Sequence, residues 1–187
     1  MITVYTGQGK GKTTSAVGEA LLAYGAGKRV LMVQFLKGST YSGELVGLNR
    51  LGIPLIQFGV GCRWSGMIRT GLKHCTGCGE CFRENRNPEI AVDLVRQALD
   101  YVADQAGRNS YELIILDEIS HAVNRGFLHS EQLIELFAAE SSRQIQWILT
   151  GRNMPAALEP LVDQWWDLNM LKHPFSQGVK SRRGIEY

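Results

Sequence analysis

Apolar residues along this chain fall into two recurring patterns. Runs of strand length occupy 2–5, 30–36, 55–58, 113–116 and 145–149, with a last one at 166–171. Between them, apolar residues return at helical spacing: Ala16, Val17, Ala20, Leu21 and Tyr24, and later Ala91, Leu94, Val95, Ala98, Leu99 and Val102. The nearly unbroken runs at 30–36 and 113–116 read as strands covered on both faces. Gly25 and Gly27 end the first helix. Asn87-Pro88-Glu89 opens the long one with a capping side chain, a proline in the first turn and an acid, and Gly107 closes it. Shorter helices are predicted at 44–51, stopped by Gly52 and Pro54, at 130–139 with Ser130 as cap, and at 155–162. Strands alternating with helices predict an α/β fold, a mostly parallel sheet with helices on both faces, in a single domain over 1–187.

Two stretches break the alternation. Residues 59–87 have no clear period, and such a length is unusual inside a compact domain unless something organises it. This Cys-rich insertion holds all four cysteines, Cys62, Cys75, Cys78 and Cys81. The tail from Lys172 onward is basic and irregular.

Composition narrows the class. With 187 residues, 44% hydrophobic and 20% charged, the chain is long enough to bury a real core. A net charge of +2 argues against a large nucleic-acid surface. No apolar run approaches the ~18 residues of a membrane span. Met1 leads directly into the first strand without room for a signal peptide, so a reducing, cytoplasmic setting is expected. The cysteines are then read as thiols or metal ligands rather than disulfides.

The first strand runs into Thr6-Gly7-Gln8-Gly9-Lys10-Gly11-Lys12-Thr13-Thr14 and then a helix, the grammar of a phosphate-binding P-loop. Gly7, Gly9 and Gly11 let backbone N–H groups close on phosphate oxygens, and the helix start adds its dipole. Lys10 and Lys12 supply charge, and the Thr13 hydroxyl is placed to ligate Mg²⁺. Thr6 stands where the usual G-x-x-x-x-G-K-[ST] pattern has its first glycine. After the run 113–116, Asp117-Glu118 reads as the acidic pair that accompanies a P-loop, at the edge of the sheet where ligands collect. Gln34 interrupts the apolar run 30–36 near the same edge, and the polar 37–44 reads as a substrate loop or a solvated connector. His74, His121, His129 and His173 have no partner pattern and read as ordinary polar residues.

A P-loop and an acidic pair specify a nucleotide and not its use. The wider pattern is more specific: Val33-Gln34-Phe35-x-Lys37-Gly38, Leu116-Asp117-Glu118, Thr150-Gly151-Arg152, Lys172-His173-Pro174-Phe175-x-x-Gly178-x-Lys180 and Gly184-Ile185-Glu186-Tyr187. With the P-loop, these blocks resemble the P-loop type of ATP:corrinoid adenosyltransferase over most of the chain. The resemblance implies transfer of the 5′-deoxyadenosyl group of ATP to the cobalt of a reduced corrinoid, with release of triphosphate, in cobalamin biosynthesis. It implies Mg²⁺ or Mn²⁺, a homodimer, and an electron donor for Co(II). Gly7, Gln8, Gly9, Lys10, Gly11, Lys12, Thr13 and Thr14 would hold the triphosphate, in reversed polarity, with Lys12 and Lys10 neutralising the leaving group. Thr13 and Glu118 would hold the metal, with Asp117 beside them. Arg152, Lys172, His173 and Phe175 would lie near the nucleotide or corrinoid. Two departures stand out. The family's N-terminal cover is missing before Met1, and Gly61-Cys62-Arg63-Trp64 replaces a Gly-Phe-x-Trp that contacts the lower corrin face, so Trp64 keeps one aromatic of two.

Cys75-x2-Cys78-x2-Cys81 crowds three thiolates onto one glycine-containing turn, and Cys62 completes a set of four. The spacing matches the first three ligands of a ferredoxin-type run and lacks the second Cys-x2-Cys pair of structural zinc sites. An iron–sulfur cluster, [4Fe-4S], is therefore favoured over zinc or free thiols. A redox cluster there would serve reduction of Co(II), whereas zinc would shape the loop. Two other functions compete: a deoxynucleoside kinase with a metal-stapled loop, and a non-catalytic ATP-dependent corrinoid carrier.

Overall fold

The computed structural model describes residues 1–38, 42–76, 78, 80, 83 and 85–172. Six strands form one sheet: β1 (Ile2–Thr6), β2 (Val30–Phe35), β3 (Leu55–Phe58), β4 (Leu113–Asp117), β5 (Gln146–Thr150) and β6 (Gln164–Asp167). Their spatial order is β3-β2-β4-β5-β1-β6, and every neighbouring pair is parallel. Helices α1 (Lys12–Gly25), α2 (Gly43–Leu51), α3 (Ser65–Arg69), α4 (Pro88–Gly107), α5 (Ile119–Asn124) and α6 (Ser130–Ala138) connect them, with 3₁₀ turns at Glu140–Ser142 and Ala156–Leu161.

The two-residue period of a strand sorts its side chains between two cores. Leu31, Val33 and Phe35 of β2, Ile114 and Leu116 of β4, and Trp147 and Leu149 of β5 face one side. There they meet Val95, Ala98 and Val102 of α4, with Ile119 of α5 and Leu133 of α6. Val30 and Met32, Leu113 and Ile115, and Ile148 face the other side, against Ala16 and Ala20 of α1 and Leu48 of α2. Both faces are covered, as the continuous apolar runs predicted.

The capping of α4 also matches: Asn87 Oδ1 accepts from Glu89 N at 3.2 Å, with Pro88 in the first turn. Two local expectations are corrected. The last strand is Gln164–Asp167 rather than 166–171, and all four of its residues are exposed. It is an edge strand paired only to β1, so hydropathy gave no guide to its limits. The cap of α6 is His129 rather than Ser130, in a reciprocal capping box with Gln132. Helices α5 and α3 lack the length for a readable period. Among the described residues, no helix is long and apolar enough to cross a membrane.

Tyr5 ties β1 to α1 through a short hydrogen bond to Glu19, which also accepts from Gln146 of β5. Burial first, and then the Glu19 bond and charge, push the Tyr5 phenol up to about 12. An unfolded tyrosine titrates near 10, so this contribution is complete below about pH 10 and is lost as pH rises through about 12. Tyr5→Phe should therefore show a shallower alkaline loss of stability than the parent across that window, as read by denaturant unfolding at successive pH values.

Candidate active site

β1 runs through Thr6 as a strand residue, so the position that usually carries the first glycine needs no special backbone here. Thr6 is buried, and its hydroxyl accepts from Met154 N at 3.2 Å. The turn falls on Gly7, with φ 98°, and Gly11, with φ 117°, starts α1. Close approach gives Gly7 and Gly9 a second reason. A Cβ on Gly7 would stand 2.2 Å from Asp167 Oδ1, and one on Gly9 2.5 Å from Leu168 O. The chain leaving β6 lies against the loop, where Leu168 O accepts from Gly9 N at 2.7 Å and Leu168 N donates to Thr6 O at 2.9 Å.

Lys12 is only 7% exposed, and its ammonium donates to Gly7 O at 2.8 Å and Gly9 O at 2.6 Å. The loop thus closes around its own cation. Burial pushes the Lys12 ammonium below its usual range, against the opposing charges of Glu118, Asp117 and Asp167, while Arg152 lowers it further.

β5 separates β1 from β4, and its last residue, Thr150, bridges them. Thr150 Oγ1 donates to Asp117 Oδ1 at 2.7 Å and accepts from Glu118 N at 3.0 Å. Thr13 Oγ1 donates to the same Asp117 oxygen at 2.8 Å. The other oxygen, Oδ2, accepts from Gln34 Nε2 at 2.9 Å and Lys37 Nζ at 2.8 Å. Asp117 is fully buried, and burial alone would push its carboxyl up. The Lys37 charge and the bonds from Lys37, Thr150 and Thr13 outweigh that and hold it below the usual carboxylate range.

Glu118 takes a left-handed backbone, φ 62°, which a non-glycine residue adopts only where its surroundings impose it. Its Oε2 is buried without a hydrogen bond; His121 Nε2 stands 3.0 Å away, off hydrogen-bond alignment. An orphaned carboxylate oxygen and the Thr13 hydroxyl on one cavity wall are a donor set that fits a hard divalent cation.

These groups open on one cavity of about 930 Å³. Gly9 to Thr14 form one end; Val17 and Leu21 of α1 with Leu48 and Leu51 of α2 form an apolar wall. Lys37, Arg86, Arg125 and Arg152 add cationic groups, and Glu44, Glu118 and His121 complete the polar lining. Gly151, with φ 141°, lets this corner close, since a Cβ there would stand 2.0 Å from Ser120 Oγ. Ser120 Oγ in turn donates to Arg152 O at 2.7 Å.

The structure brings together Lys10, Lys12, Thr13, Thr14, Glu118 and Arg152 as lining and Asp117 beneath them. Gly7 lies behind the loop, and Gln8 turns aside to Asn153 Oδ1 at 2.9 Å. Trp64 stands outside the lining, with the Lys73 ammonium 3.9 Å from its ring centroid. Lys172 is exposed outside the lining; His173, Phe175 and Cys81 lie outside the described residues. Cys62 is half-buried, Cys75 and Cys78 are exposed, and no three His, Cys, Asp or Glu residues among the described ones close on a metal position. Sequence reasoning missed Arg86 and Arg125, read His121 as an ordinary polar residue, and had Glu44 only as the end of the polar 37–44 stretch. Arg86 stands in the aperiodic segment and Arg125 after a helix too short to read, so neither carried a signal. Gln34 did carry one, as a polar residue in an apolar strand.

The whole chain, residues 1–187, matches the family model of the ATP:corrinoid adenosyltransferases BtuR/CobO/CobP. A corrinoid adenosyltransferase of Escherichia coli (strain K12) is 31% identical over 187 residues, covering 100% of this chain and 85% of that protein. The corrinoid adenosyltransferase CobA of Salmonella typhimurium is 32% identical over 189 residues, again 100% and 85%. The solved structure of EssC (ATPases 2 and 3) from Geobacillus thermodenitrificans aligns over 97% of this chain and 34% of that one, at 12% identity and a TM-score of 0.47. The P-loop, the acidic pair and the full-length match agree: this chain belongs to the ATP:corrinoid adenosyltransferase family.

Proposed function

We propose that this enzyme transfers the 5′-deoxyadenosyl group of ATP to the cobalt of a reduced corrinoid and releases triphosphate. The observation that carries the reading is a cavity with an anion cradle at one end and an apolar wall along it. The cobalt of the Co(I) substrate supplies an electron pair to C5′ of ATP. The Co–C bond forms, the C5′–O bond breaks, and its electron pair leaves on the triphosphate. No protein base is needed, so the chain's task is to hold and neutralise the leaving group.

Lys12 would exchange its two loop carbonyls for phosphate oxygens, with Lys10 and Arg152 adding charge. Gly11 to Thr14 lie at the start of α1, where backbone N–H groups and the helix dipole favour anions. Thr13 and Glu118 would hold Mg²⁺ or Mn²⁺, and Asp117 orients the Thr13 hydroxyl. When bound, the metal supplies positive charge to the departing triphosphate. Val17, Leu21, Leu48 and Leu51 would keep water from the reacting groups. Trp64 belongs to the corrinoid side of this reading, and Lys172, His173 and Phe175 to the nucleotide or corrinoid; a homodimer and an electron donor for Co(II) are also part of it. A single P-loop α/β domain over 1–187, with the Cys-rich insertion at about 59–87, completes it.

Anaerobic incubation with ATP, Mg²⁺ and chemically reduced cobalamin should yield the optical signature of a cobalt–carbon bond and equimolar triphosphate. ADP formed with a nucleoside acceptor would identify a kinase instead, and tight product binding without turnover a carrier. Lys12→Ala should lower turnover by about 10²–10³-fold while leaving thermal unfolding cooperative. Near-normal turnover in the folded variant would remove Lys12 from the reaction.

Glu118→Gln keeps shape and removes charge. The Mg²⁺ concentration giving half-maximal activity should rise roughly tenfold or more, at least the loss seen for groups outside the ligand sphere. An unchanged titration excludes Glu118 as a ligand.

We also propose that Cys62, Cys75, Cys78 and Cys81 hold one metal centre, an iron–sulfur cluster rather than zinc. Support comes from the spacing and from the Arg63–Glu80 ion pair, which ties the neighbour of Cys62 to a residue that lies between Cys78 and Cys81 in the sequence. Anaerobic purification with metal analysis and electron paramagnetic resonance should find iron and a reducible signal. Stoichiometric zinc would make the site structural, and four alkylatable thiols without metal would defeat it.

A further inference from the structure

Asp117 is the acidic residue nearest the P-loop threonine, yet its bonding is already complete. An ionised carboxylate offers about four lone-pair sites. Thr13 and Thr150 fill two on Oδ1, and Gln34 and Lys37 fill two on Oδ2. A metal ion reaching Asp117 would have to displace one of these donors. Glu118 is less committed: its buried Oε2 accepts no hydrogen bond and has His121 Nε2 3.0 Å away as its ion-pair neighbour.

Several features place Lys37 on Asp117. Glu44 Oε1 accepts from Gln34 Nε2 at 3.0 Å and stands 3.6 Å from Lys37 Nζ, so a second carboxylate holds the ammonium from the α2 side. Gln57 Nε2 donates to Gln34 Oε1 at 2.8 Å, which orients the Gln34 amide with its NH₂ toward Asp117 and Glu44. The backbone is equally constrained. Leu36 adopts φ 55°, turning the chain back over the end of β2. At Gly38 a Cβ would stand 2.3 Å from Gly59 O and Gly61 N, so that turn is locked against the loop after β3. A solvated connector would require neither the left-handed leucine nor the glycine contact.

We propose that Lys37 is a resident cation that keeps Asp117 off the divalent metal, so that Glu118 and Thr13 take the ion while Asp117 acts only through the Thr13 hydroxyl. This rests on the metal assignment above and adds a positioning residue to it. Lys37 and the metal then share the cavity as two separate positive charges, both directed at the same triphosphate. Without Lys37, the Oδ2 edge of a fully buried carboxylate loses its counter-charge, and a divalent cation is the available replacement.

The proposal fixes the sign of a binding change. In ATP-free full-length protein, Lys37→Met should bind Mn²⁺ on the order of tenfold more tightly than the parent, read from the electron paramagnetic resonance of the free ion. Lys37→Arg should restore the parental value, and the double variant Lys37→Met with Asp117→Asn should lose the gain. Simple structural damage would weaken binding rather than strengthen it. Equal or weaker Mn²⁺ binding by a cooperatively melting Lys37→Met protein overturns the proposal. A crystal structure of the unaltered protein with Mg²⁺ and ATP gives a test that needs no variant. The metal should contact Glu118 and Thr13, with Lys37 Nζ still on Asp117. Metal on Asp117 with Lys37 released overturns the role of Lys37 alone. Metal bound away from Thr13 and Glu118 overturns the underlying metal assignment, and this proposal with it.

Discussion

The buried carboxylate of Asp117 is the constraint on which the site depends. A charge with no solvent access persists only if its lone pairs are met by donors, and here the donors come from four separate places in the chain. Gln34 arrives on β2, Lys37 on the turn after it, Thr13 on the first turn of α1, and Thr150 at the end of β5. Satisfying one residue therefore fixes the relative positions of three strand ends and the P-loop helix. The Lys37 side chain stays 26% exposed, so losing it costs less than losing a fully buried partner, yet it leaves a buried carboxylate without its counter-charge, which makes the contact structural as well as chemical.

Backbone contact does the corresponding work around the rim. Gly7 and Gly9 let the chain after β6 lie directly on the P-loop, Gly151 lets α5 approach the end of β5, and Gly38 lets the turn after β2 meet the loop after β3. Each contact leaves no space for a Cβ. The loop after β3 is held in turn by Asn85, which donates to Val60 O at 2.9 Å and accepts from Val60 N at 2.6 Å. Asn85 and the neighbouring Arg86, at the end of the Cys-rich region, both line the cavity.

The cavity combines two environments that the proposed reaction requires. Cationic and N–H groups collect where charge develops on the leaving triphosphate, while the α1 and α2 side chains opposite are apolar. Low polarity on that wall strengthens every electrostatic interaction on the other side, so the two walls act together.

The sequence by itself determined the elements and their class. The apolar run 2–5 identified the first strand, the runs 30–36 and 113–116 identified strands buried on both faces, and the stripe from Ala91 to Val102 identified the long helix, because these signals are carried by neighbouring residues. The same locality made the P-loop and Asp117-Glu118 legible: chemistry written in consecutive residues survives any folding topology. Strand order was not local information. Only the order β4-β5-β1 makes Thr150 the bridge between the two motifs, and only the pairing of β2 with β4 delivers Gln34 and Lys37 to Asp117. His121 read as an ordinary polar residue and Arg125 gave no signal, because helix α5 is shorter than the window in which a period can be seen. The exposed edge strand β6 was misplaced because nothing on its faces is buried. What the tertiary structure decided is which distant side chains share one buried charge, since that depends on which strand ends become neighbours.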